Sequence, residues 1–480
     1  MPDKAEIVAL LPEILLSAAG TLLLVLDPLT SQKRKGLLGV LSLAAIYAAL
    51  LAAPVSYAGR PSAFSGMIVA DGFATFFRAL VFVIGFLVVL ASMAYLKREE
   101  LPPGEYYALI LFGLAGQGLM AASSELIMIF LGLEISSIST YILVGFQRDD
   151  GRSSEAALKY FFLGSFATAF LLYGVALVYG ATGSTRLPAV ARALAASDAG
   201  PALLGGAAAL LFVGLAFKVS AAPFHVWTPD VYQGAPSPVS AYLSTGPKAA
   251  AFAVFLRVFF TALGGAAEAW VWPLWISALL SMCIGNFAAL VQTNVKRLLG
   301  YSSIAHAGYI LVAFAAQSSI GVGAAMFYLV AYAAMNIGAF IVVAHVSGRG
   351  ERYVEIDDYA GLGTRRPALA AALALFLLSL VGIPLTGGFF GKFYIFRAAI
   401  NADLQGLAVL GLLNTALAAY YYLRVIVVMY MREPQKDVPL DDPVPPGVSA
   451  ALVISAAATV CLGLFPGRIM EFAARSADGL

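Results

Sequence analysis

Long apolar runs alternate with short polar loops along the whole chain. Each run has about the 20 residues that a helix needs to cross roughly 30 Å of hydrocarbon. Runs such as 370–380 are apolar on every face, whereas a strand of a membrane barrel alternates polar and apolar positions over about ten residues. Because lipid offers no partner for an open backbone, the pattern predicts an all-α polytopic membrane protein.

Hydropathy predicts about fourteen transmembrane helices in a single transmembrane domain that covers residues 1–480. The first apolar segment contains Glu13 and no convincing small-residue cleavage site, so we expect it to be retained as a helix. The predicted spans are 7–26, 36–54, 72–95, 106–122, 125–146, 158–180, 203–222, 238–262, 270–292, 299–317, 322–346, 368–400, 405–431 and 447–466.

Positive charge is concentrated in the loops that follow odd-numbered spans. By the positive-inside rule these loops are cytoplasmic, so both termini are expected on the outer side. The loops after odd-numbered spans carry Lys33, Arg34, Lys35, Lys97, Arg98, Arg148, Arg152, Lys296, Arg297, Arg349, Arg352, Arg365, Arg366, Arg432 and Lys436. The loops after even-numbered spans carry mainly Arg60, Arg186 and Arg192.

An internal repeat is visible at an offset of about 160 residues. SSISTYILVGF from Ser136 resembles SSIAHAGYILVAF from Ser302, and AALKYFFL from Ala156 resembles AAMFYLVA from Ala324. The offset spans five helices, and an odd number of spans inverts the second copy in the membrane. We therefore predict two inverted repeats, although chance similarity among apolar segments is the alternative. The predicted divisions are 1–100 (helices 1–3), 101–263 (helices 4–8), 264–433 (helices 9–13) and 434–480 (helix 14).

The seventh and twelfth spans each contain a proline among small residues, in SAAPFHVWTP around Pro223 and in GIPLTGGFFGK around Pro384. Proline removes a backbone donor and clashes with the preceding turn, so both helices are expected to be broken within the membrane. Broken helices at equivalent places in two repeats indicate an ion site. A harmless proline kink is the alternative for each one.

Composition narrows the possible functions. Of the 480 residues, 61% are hydrophobic and 12% are charged, against roughly 25% charged in soluble domains. The cysteines, Cys283 and Cys461, are far apart, and nucleotide-binding fingerprints are absent, which argues against iron–sulfur or zinc sites, an ATP-driven pump and NADH binding by this chain. A haem-bearing quinol oxidoreductase subunit remains an alternative, because His225, His306 and His345 are possible haem ligands.

Four charged residues lie where lipid should be: Glu134, Lys218, Lys248 and Lys392. A charge at the bilayer centre costs roughly 2.5 to 3.5 kcal/mol even on a lenient scale, so each needs a reason. A lysine that loses its hydration releases its proton more readily, and a nearby carboxylate restores the charged form. We therefore predict a proton relay through these four residues. Static ion pairing is the alternative, but three lysines and one acid would leave positive charge unpaired.

Other polar residues are expected to support this relay or to lie at span ends. His225, His306 and Ser302 are candidates for ordering water beside the lysines. Lys159 is a further supporting candidate, although snorkelling to the interface explains its position equally well. For Arg257, Arg424, Glu13 and Asp71, which lie near span ends, snorkelling or helix capping is the favoured interpretation.

The segment FKVSAAPFHVWTPDVYQGAPSPVSAYLSTGPKAAAF (217–252), together with NVKRLLGYSSIAHAGY and GIPLTGGFFGKFYIF, resembles the antiporter-like subunits of respiratory complex I. The amino-acid sequence of this segment is most similar to that of the subunit N family of bacterial NADH:quinone oxidoreductase. The resemblance implies fourteen helices with inverted repeats. It also implies that Glu134 and Lys218 form a pair between helices 5 and 7, that Lys248 is the central lysine, and that Lys392 is the exit-side residue.

The related subunit M carries a glutamate where this chain has Lys392, and subunit L has a long C-terminal extension that this chain is expected to lack. The resemblance implies a non-redox subunit of a proton-translocating enzyme in the bacterial inner membrane. FMN, iron–sulfur clusters and quinone would then belong to other subunits, with none in this chain. Its partners would be lipid, subunit M and the small membrane subunits, with no nucleic acid. A subunit of a multisubunit cation/proton antiporter is the alternative.

Overall fold

The computed structural model of the chain describes residues 3–57, 62–196, 201–434, 438 and 443–477, so Arg60 and Lys436 lie outside the described residues. The described part is almost entirely helical, apart from a small hairpin of Ser62–Ala63 and Ile68–Val69. Its α-helices are α1 (Lys4–Ala9), α2 (Leu11–Leu29), α3 (Gly36–Tyr57), α4 (Gly72–Arg98), α5 (Pro103–Ala122), α6 (Leu126–Val144), α7 (Gly151–Thr182), α8 (Leu187–Ala196), α9 (Pro201–Lys218), α10 (Thr228–Gly234), α11 (Ser237–Leu256), α12 (Val271–Leu290), α13 (Val295–Ala315), α14 (Ser319–Val346), α15 (Leu362–Arg365), α16 (Pro367–Val381), α17 (Gly387–Asn401), α18 (Gln405–Met431), α19 (Pro446–Leu464) and α20 (Pro466–Ala477).

The helices match the predicted spans. Within the described residues, 11 helices are long and apolar enough to cross a membrane. With α5 and the two interrupted helices α9/α10 and α16/α17, they overlap the predicted spans. The main differences are that α7 begins at Gly151 instead of 158 and that α10 lies beyond the predicted end of the seventh span at 222. The prediction of an all-α polytopic fold with about fourteen spans is confirmed. The loop that was expected to carry Arg192 instead forms the short helix α8.

The two ends of the helix bundle differ in charge. Cations of several loops after odd-numbered spans meet at one end, where Arg349 pairs with Glu100 at 2.8 Å and Arg297 with Asp230 at 2.6 Å. We call this end the basic face. At the other end, Phe472 of α20 packs against Phe76 near the start of α4, and the backbone N–H of Phe64 donates to Glu6 of α1. Both described ends of the chain therefore lie at this second end, which we call the terminal face.

Both predicted helix breaks are present. α9 ends at Lys218, and α10 begins at Thr228, ten residues further on, after the segment that contains Pro223. α16 ends at Val381, and the left-handed conformation of Gly382 (φ 96°) turns the chain toward Pro384 before α17 begins. A Cβ-free residue adopts this conformation without steric penalty, so Gly382 explains where α16 stops.

An equivalent pair of loop contacts supports the predicted inverted repeat. Before the fifth span, Glu125 forms a bridge with Arg186, and Leu126 N–H donates to Thr185 C=O at 2.9 Å. Before the tenth span, Asn294 forms a bridge with Glu355. The first bridge lies at the terminal face and the second at the basic face, as inversion requires. The residue boundaries of the repeats stay a prediction.

Three helices form the centre of the bundle. α11, α13 and α14 are almost wholly buried, whereas α2, α3, α7 and α18 present many apolar side chains to the outside. Side chains on the central helices are therefore shielded from lipid as well as from bulk water. Lys248 lies on α11 and His306 on α13, so the fold places both in this centre.

Candidate functional site

Lys218 is bound by the helix that carries Glu134, but not by Glu134 itself. Glu134, Ser137 and Tyr141 lie along one face of α6, at helical spacing. The Lys218 Nζ donates to Ser137 Oγ at 2.7 Å and to Tyr141 OH at 3.2 Å. Among the described residues no carboxylate lies within 4.0 Å of this ammonium. Oε1 of Glu134 is buried and has no described hydrogen-bond partner.

Aromatic rings complete the surroundings of Lys218. Its Nζ lies 5.3 Å from the ring centroid of Tyr141, 5.9 Å from that of Tyr160 and 5.7 Å from that of Phe217. Trp227, the last residue of the helix break, stacks on Tyr160 with the ring centroids 4.5 Å apart. The faces of aromatic rings attract a cation without fixing its proton, so this environment tolerates the charged amine.

A small cavity lies between Lys218 and α11. Its volume is about 10 Å³, close to the space that one water molecule needs. Ser136, Thr140 and Pro247 contribute to its walls, and Pro247 directly precedes Lys248 on α11. The cavity also has apolar walls, from Met120, Leu133 and Leu243, and is just wide enough for a single water between Lys218 and α11.

Lys248 is held by one serine. Its side chain is almost fully buried, with 1% of the residue exposed. The Nζ donates to Ser303 Oγ at 2.5 Å and to Ser303 C=O at 3.0 Å, and Tyr332 OH also donates to Ser303 Oγ, at 2.8 Å. Both acceptors are neutral. In the described part of the chain, no carboxylate lies within 4.0 Å of the Lys248 ammonium.

The two serines that bind lysines occupy equivalent places in the repeated sequence. Ser137 is the second serine of SSI in the first copy, and Ser303 is the second serine of SSI in the second copy. Ser137 accepts from Lys218, and Ser303 accepts from Lys248. The motif that revealed the repeat is thus also the part of each copy that contacts an ammonium.

His306 connects Lys248's neighbourhood to a group of tyrosines. Its Nδ1 lies 2.5 Å from Tyr328 OH and its Nε2 lies 3.1 Å from Tyr422 OH. Tyr422 OH in turn bonds to Ser302 Oγ. Both ring nitrogens of His306 are therefore engaged with tyrosine hydroxyls.

Lys392 is bound by the broken end of a helix. Its Nζ donates to the backbone C=O groups of Leu380 and Val381, both at 2.9 Å. These carbonyls belong to the last turn of α16, where they have no partner within the helix and carry partial negative charge. The Nζ also lies 4.6 Å from the ring centroid of Tyr309. The break in the twelfth span therefore builds the binding site of this lysine.

Two of the predicted supporting residues lie elsewhere or lack partners. Lys159 is 43% exposed at the basic face and pairs with Glu155 at 2.7 Å and Asp230 at 2.9 Å. His225 lies in the break after α9, and its buried Nδ1 has no described hydrogen-bond partner. Within the described ranges no group of three or more His, Cys, Asp or Glu side chains is arranged to hold a metal ion.

Sequence reasoning missed the tyrosines around the lysines. Tyr141, Tyr332 and Tyr309 each contact a lysine or its serine, and Tyr328 and Tyr422 flank His306. The spacing of Tyr328 and Tyr332, four residues apart on α14, was a signal that they share a face. Aromatic residues at helical spacing are usually ordinary core residues, so the signal was weak.

The expectation for charges near span ends was wrong in two cases. Glu13 is buried and forms two parallel bonds with Arg78, Nε–Oε1 at 2.8 Å and Nη2–Oε2 at 2.9 Å, and Arg78 is fully buried. Arg257 does not snorkel either, because it is buried and pairs with Asp71 at 2.7 Å. Such pairs form where helices cross, a relationship that one-dimensional position does not reveal.

The expectation of helix capping or snorkelling was correct for Asp71 and Arg424. Asp71 caps α4 by accepting from Ala74 N–H at 2.7 Å. Arg424 reaches the backbone carbonyl of Gln292 at 3.3 Å, near the basic face. Both residues therefore act at helix ends, as their positions along the chain indicated.

The site therefore consists of three lysines buried among neutral acceptors, on and beside two interrupted helices. The family model described as NADH:quinone oxidoreductase/Mrp antiporter, TM, matches residues 123–418, more than half of the chain. The chain belongs to this family of antiporter-like membrane subunits.

Two relatives that cover almost the whole chain are subunits N of NADH-quinone oxidoreductases. The chain is 57% identical over 470 residues to NADH-quinone oxidoreductase subunit N 1 of Solibacter usitatus, covering 98% of this chain and 97% of the relative. It is 47% identical over 465 residues to NADH-quinone oxidoreductase subunit N of Trichlorobacter lovleyi, covering 97% and 95%. The predicted resemblance to the subunit N family is thereby confirmed.

Solved structures agree on the fold. A chain of respiratory complex I from Thermus thermophilus with bound aureothin superposes with a TM-score of 0.82 at 36% identity, covering 96% of this chain and 99% of that one. A chain of the Mrp complex from Dietzia superposes with a TM-score of 0.85 at 21% identity, covering 99% and 97%. The second likeness concerns the fold alone.

Proposed function

We propose that this chain is a proton-translocating, antiporter-like membrane subunit of an NADH:quinone oxidoreductase. The names of its subunit N relatives support this assignment. The observation that carries the transport role is that Lys218, Lys248 and Lys392 are bound only by hydroxyls and backbone carbonyls in the described part of the chain. A buried amine without a counter-ion is costly as an ammonium, so its neutral form is accessible.

The first transfer in this proposal involves Glu134 and Lys218. In the structure the ammonium lies on Ser137, one helical turn from Glu134 on α6. A change of side-chain rotamer is sufficient to bring a flexible lysine from one turn of a helix to the next. When Lys218 approaches Glu134, the carboxylate stabilises its proton, and when it returns to Ser137 it can release the proton to water.

The second step passes from Lys218 to Lys248 through the cavity beside Pro247. Hydrogen bonds link Lys248 through Ser303 to Tyr332, whose ring centroid lies 5.2 Å from that of His306. On the other side of the imidazole, Tyr422 bonds to His306 and to Ser302. Hydroxyl groups both donate and accept, so they can pass a proton without bearing net charge for long.

Lys392 is the exit-side residue in this proposal. The carbonyls of Leu380 and Val381 favour its charged form, and the segment 382–386 opens the helix next to them. A proton that reaches Lys392 therefore sits where an irregular backbone, rather than continuous helix, separates it from the membrane surface. We assign Lys159 a supporting role at the basic face, where it belongs to a network of ion pairs with Asp230 and Arg297.

The environment of the chain forms part of the same proposal. We infer that it resides in a bacterial inner membrane, with the basic face cytoplasmic and both termini outside, because cationic loops favour the cytoplasmic side. Redox chemistry, with FMN, iron–sulfur clusters and quinone, is assigned to other subunits of the enzyme. Antiporter-like subunit M and the small membrane subunits are the proposed neighbours in the membrane.

The experiment replaces Lys218 in the assembled enzyme and measures protons pumped per NADH oxidised in inside-out membrane vesicles. Lys218→Ala is expected to lower this ratio while the enzyme still assembles. The matched control is Lys4→Ala, which removes an exposed lysine at the terminal face. A ratio equal to that of the unmodified enzyme in an assembled Lys218→Ala variant would contradict the relay.

A further inference from the structure

A large cleft opens at the basic face between the ends of four helices. Its volume is about 1240 Å³, larger than the roughly 300–1,000 Å³ of typical small-molecule pockets. The cleft is separate from the buried lysines, because its walls come from the start of α3, the end of α4, and the starts of α5 and α19. Nothing in the proposed relay uses these residues.

The rim of the cleft carries more positive than negative charge. Lys33 and Lys97 are exposed there, and within the described residues neither has a carboxylate within 4.0 Å. The acidic group Glu100 is already paired with Arg349 at 2.8 Å.

Arg98 also lines the cleft. Its Nε pairs with Glu99 at 2.8 Å and its Nη1 donates to Ala344 C=O at 2.9 Å, while its buried Nη2 has no described hydrogen-bond partner. An unpaired buried guanidinium donor requires an acceptor.

Helix ends add to this positive potential. α3 begins at Gly36, α5 at Pro103 and α19 at Pro446, and all three residues line the cleft. Pro103 and Pro446 have no N–H, so the donors of those two helices begin at Gly104 and Gly447. The N–H groups in the first turn of a helix lack partners within the helix and carry the positive end of its dipole. Three such ends around one opening, together with the lysines, form a surface that attracts phosphate.

The walls of the cleft are apolar. Leu90, Met93 and Leu96 of α4 lie on one side, and Tyr107 of α5 lies on another. A free phosphate would use the cations and leave these apolar walls in contact with water. A molecule with an anionic head and hydrocarbon chains matches both parts of the cleft, since apolar area is stabilised by removal from water.

We propose that this cleft binds an anionic phospholipid. Its phosphate lies among Lys33, Lys97 and Arg98, and its acyl chains lie along Leu90 and Met93. The position at the end of the bundle that faces the headgroup region is the one that such a lipid occupies, and basic residues at this level attract anionic lipid.

The test titrates the purified full chain in detergent with lipid and counts bound molecules by native mass spectrometry. Three probes are compared: dioleoyl phosphatidylglycerol, dioleoyl phosphatidylcholine, and glycerol 3-phosphate without chains. The phosphatidylglycerol is expected to bind most tightly. Lys33→Gln with Lys97→Gln is expected to weaken it by about fivefold for each lysine, while phosphatidylcholine binding stays the same.

The matched control removes the same charge elsewhere. Lys4→Gln with Arg352→Gln changes two exposed cations outside the cleft, and both lack a carboxylate partner among the described residues. This control is expected to bind phosphatidylglycerol like the original chain. Because all four side chains are exposed, none of these substitutions is expected to prevent folding.

Three results would overturn the proposal. The first is equal phosphatidylglycerol affinity in the cleft variant and in the control. The second is binding of glycerol 3-phosphate as tightly as the lipid, which would define a site for soluble anions. The third is a density map of the assembled enzyme in which protein side chains of another subunit fill the cleft.

Discussion

The ammonium of Lys218 donates to the hydroxyl of Ser137 at 2.7 Å. Glu134 lies one turn earlier on the same helix and keeps a buried oxygen without a described partner. The ammonium of Lys218, which comes from the end of α9, therefore meets α6 one turn away from the Glu134 carboxylate and does not contact it. This arrangement gives the lysine two alternative acceptors on one helix face, a neutral one and a charged one, and makes the serine as important to the proposed switch as the carboxylate.

Removal of the Ser137 hydroxyl should slow proton pumping. A hydrogen bond to a charged group contributes about 1.5 kcal/mol or more, which corresponds to about tenfold in the equilibrium between the two lysine positions. Ser137→Ala is expected to reduce the pumping rate of membrane vesicles by up to this factor, and Ser137→Thr to retain most of it. The control is Ser139→Ala, whose hydroxyl bonds only to Ile135 C=O in its own helix. Equal effects of Ser137→Ala and Ser139→Ala would contradict the prediction.

Arginine should not substitute functionally for Lys248 or Lys392. Arginine keeps its proton at any physiological pH, so Lys248→Arg and Lys392→Arg preserve the charge but prevent its release. Both variants are expected to lose most NADH-driven proton pumping, measured by the quenching of a pH-sensitive dye in vesicles. Lys4→Arg, at an exposed position outside the cleft, serves as the control and is expected to pump normally. If arginine supports full pumping at both buried positions, neither lysine releases a proton during turnover.

Arg78 should matter for stability rather than for transport. Loss of one member of a buried ion pair leaves an uncompensated charge and costs about 3 to 5 kcal/mol. Arg78→Met is expected to lower the thermal unfolding temperature of the purified chain clearly, and addition of Glu13→Met to recover much of the loss. Arg432→Met breaks the exposed pair with Asp357 and is expected to change little. A double variant that is no more stable than Arg78→Met would argue against the pair as the cause.

Glu351 should make the stability of the basic face sensitive to acid. This residue lies outside the spanning helices, in the loop after α14. Burial by itself raises the pKa of Glu351, but the Lys296 ammonium, the Ser237 N–H and the Tyr95 hydroxyl together hold it below its ordinary value of 4.5. A lowered pKa in the folded state means that the stabilisation is complete above the unfolded-state value and is lost as the pH falls through the folded-state value.

The measurement compares thermal unfolding of the original chain and of Glu351→Gln between pH 7 and pH 3. At neutral pH the original chain is expected to unfold at a higher temperature than Glu351→Gln. This difference in unfolding temperature is expected to shrink only below the ordinary carboxyl pKa of 4.5. Glu105→Gln, which removes a carboxylate from a largely exposed pair with Arg148, should show almost no such pH dependence. A difference between Glu351→Gln and the original chain that stays constant over the whole pH range would contradict the prediction.

The breaks and the buried charges could be predicted from sequence because both follow from local rules. Pro223 and Pro384 interrupt helices through their own covalent structure. Lys248 stands out because the free energy of a charge in hydrocarbon depends on its depth in a span, which hydropathy reveals directly. The positively charged loops could likewise be assigned to one end of the bundle. The ion pair of Arg349 with Glu100 joins two of these loops at the basic face.

The partners of those charges could not be predicted in the same way. Lys218 bonds to a residue 81 positions away, and Arg78 to one 65 positions away. Which side chain meets which depends on how each helix is rotated about its axis and where helices cross, and packing of the whole bundle decides both. The motif around Ser303 was noticed as a repeat, yet only the crossing of α11 and α13 makes that serine the acceptor for Lys248.

Sequence by itself determined that this chain is a bundle of membrane helices with two interruptions and a set of lysines at the depth of the lipid. The length of an apolar run, the position of a proline and the position of a charge are properties of the linear sequence, so they can be recognised without the tertiary structure. Tertiary structure alone decided that Lys218 rests on a serine instead of a carboxylate, that Glu13 and Arg78 neutralise each other, and that four helix ends enclose a cationic cleft. These relationships are set by the relative positions of separate helices, which no single segment encodes.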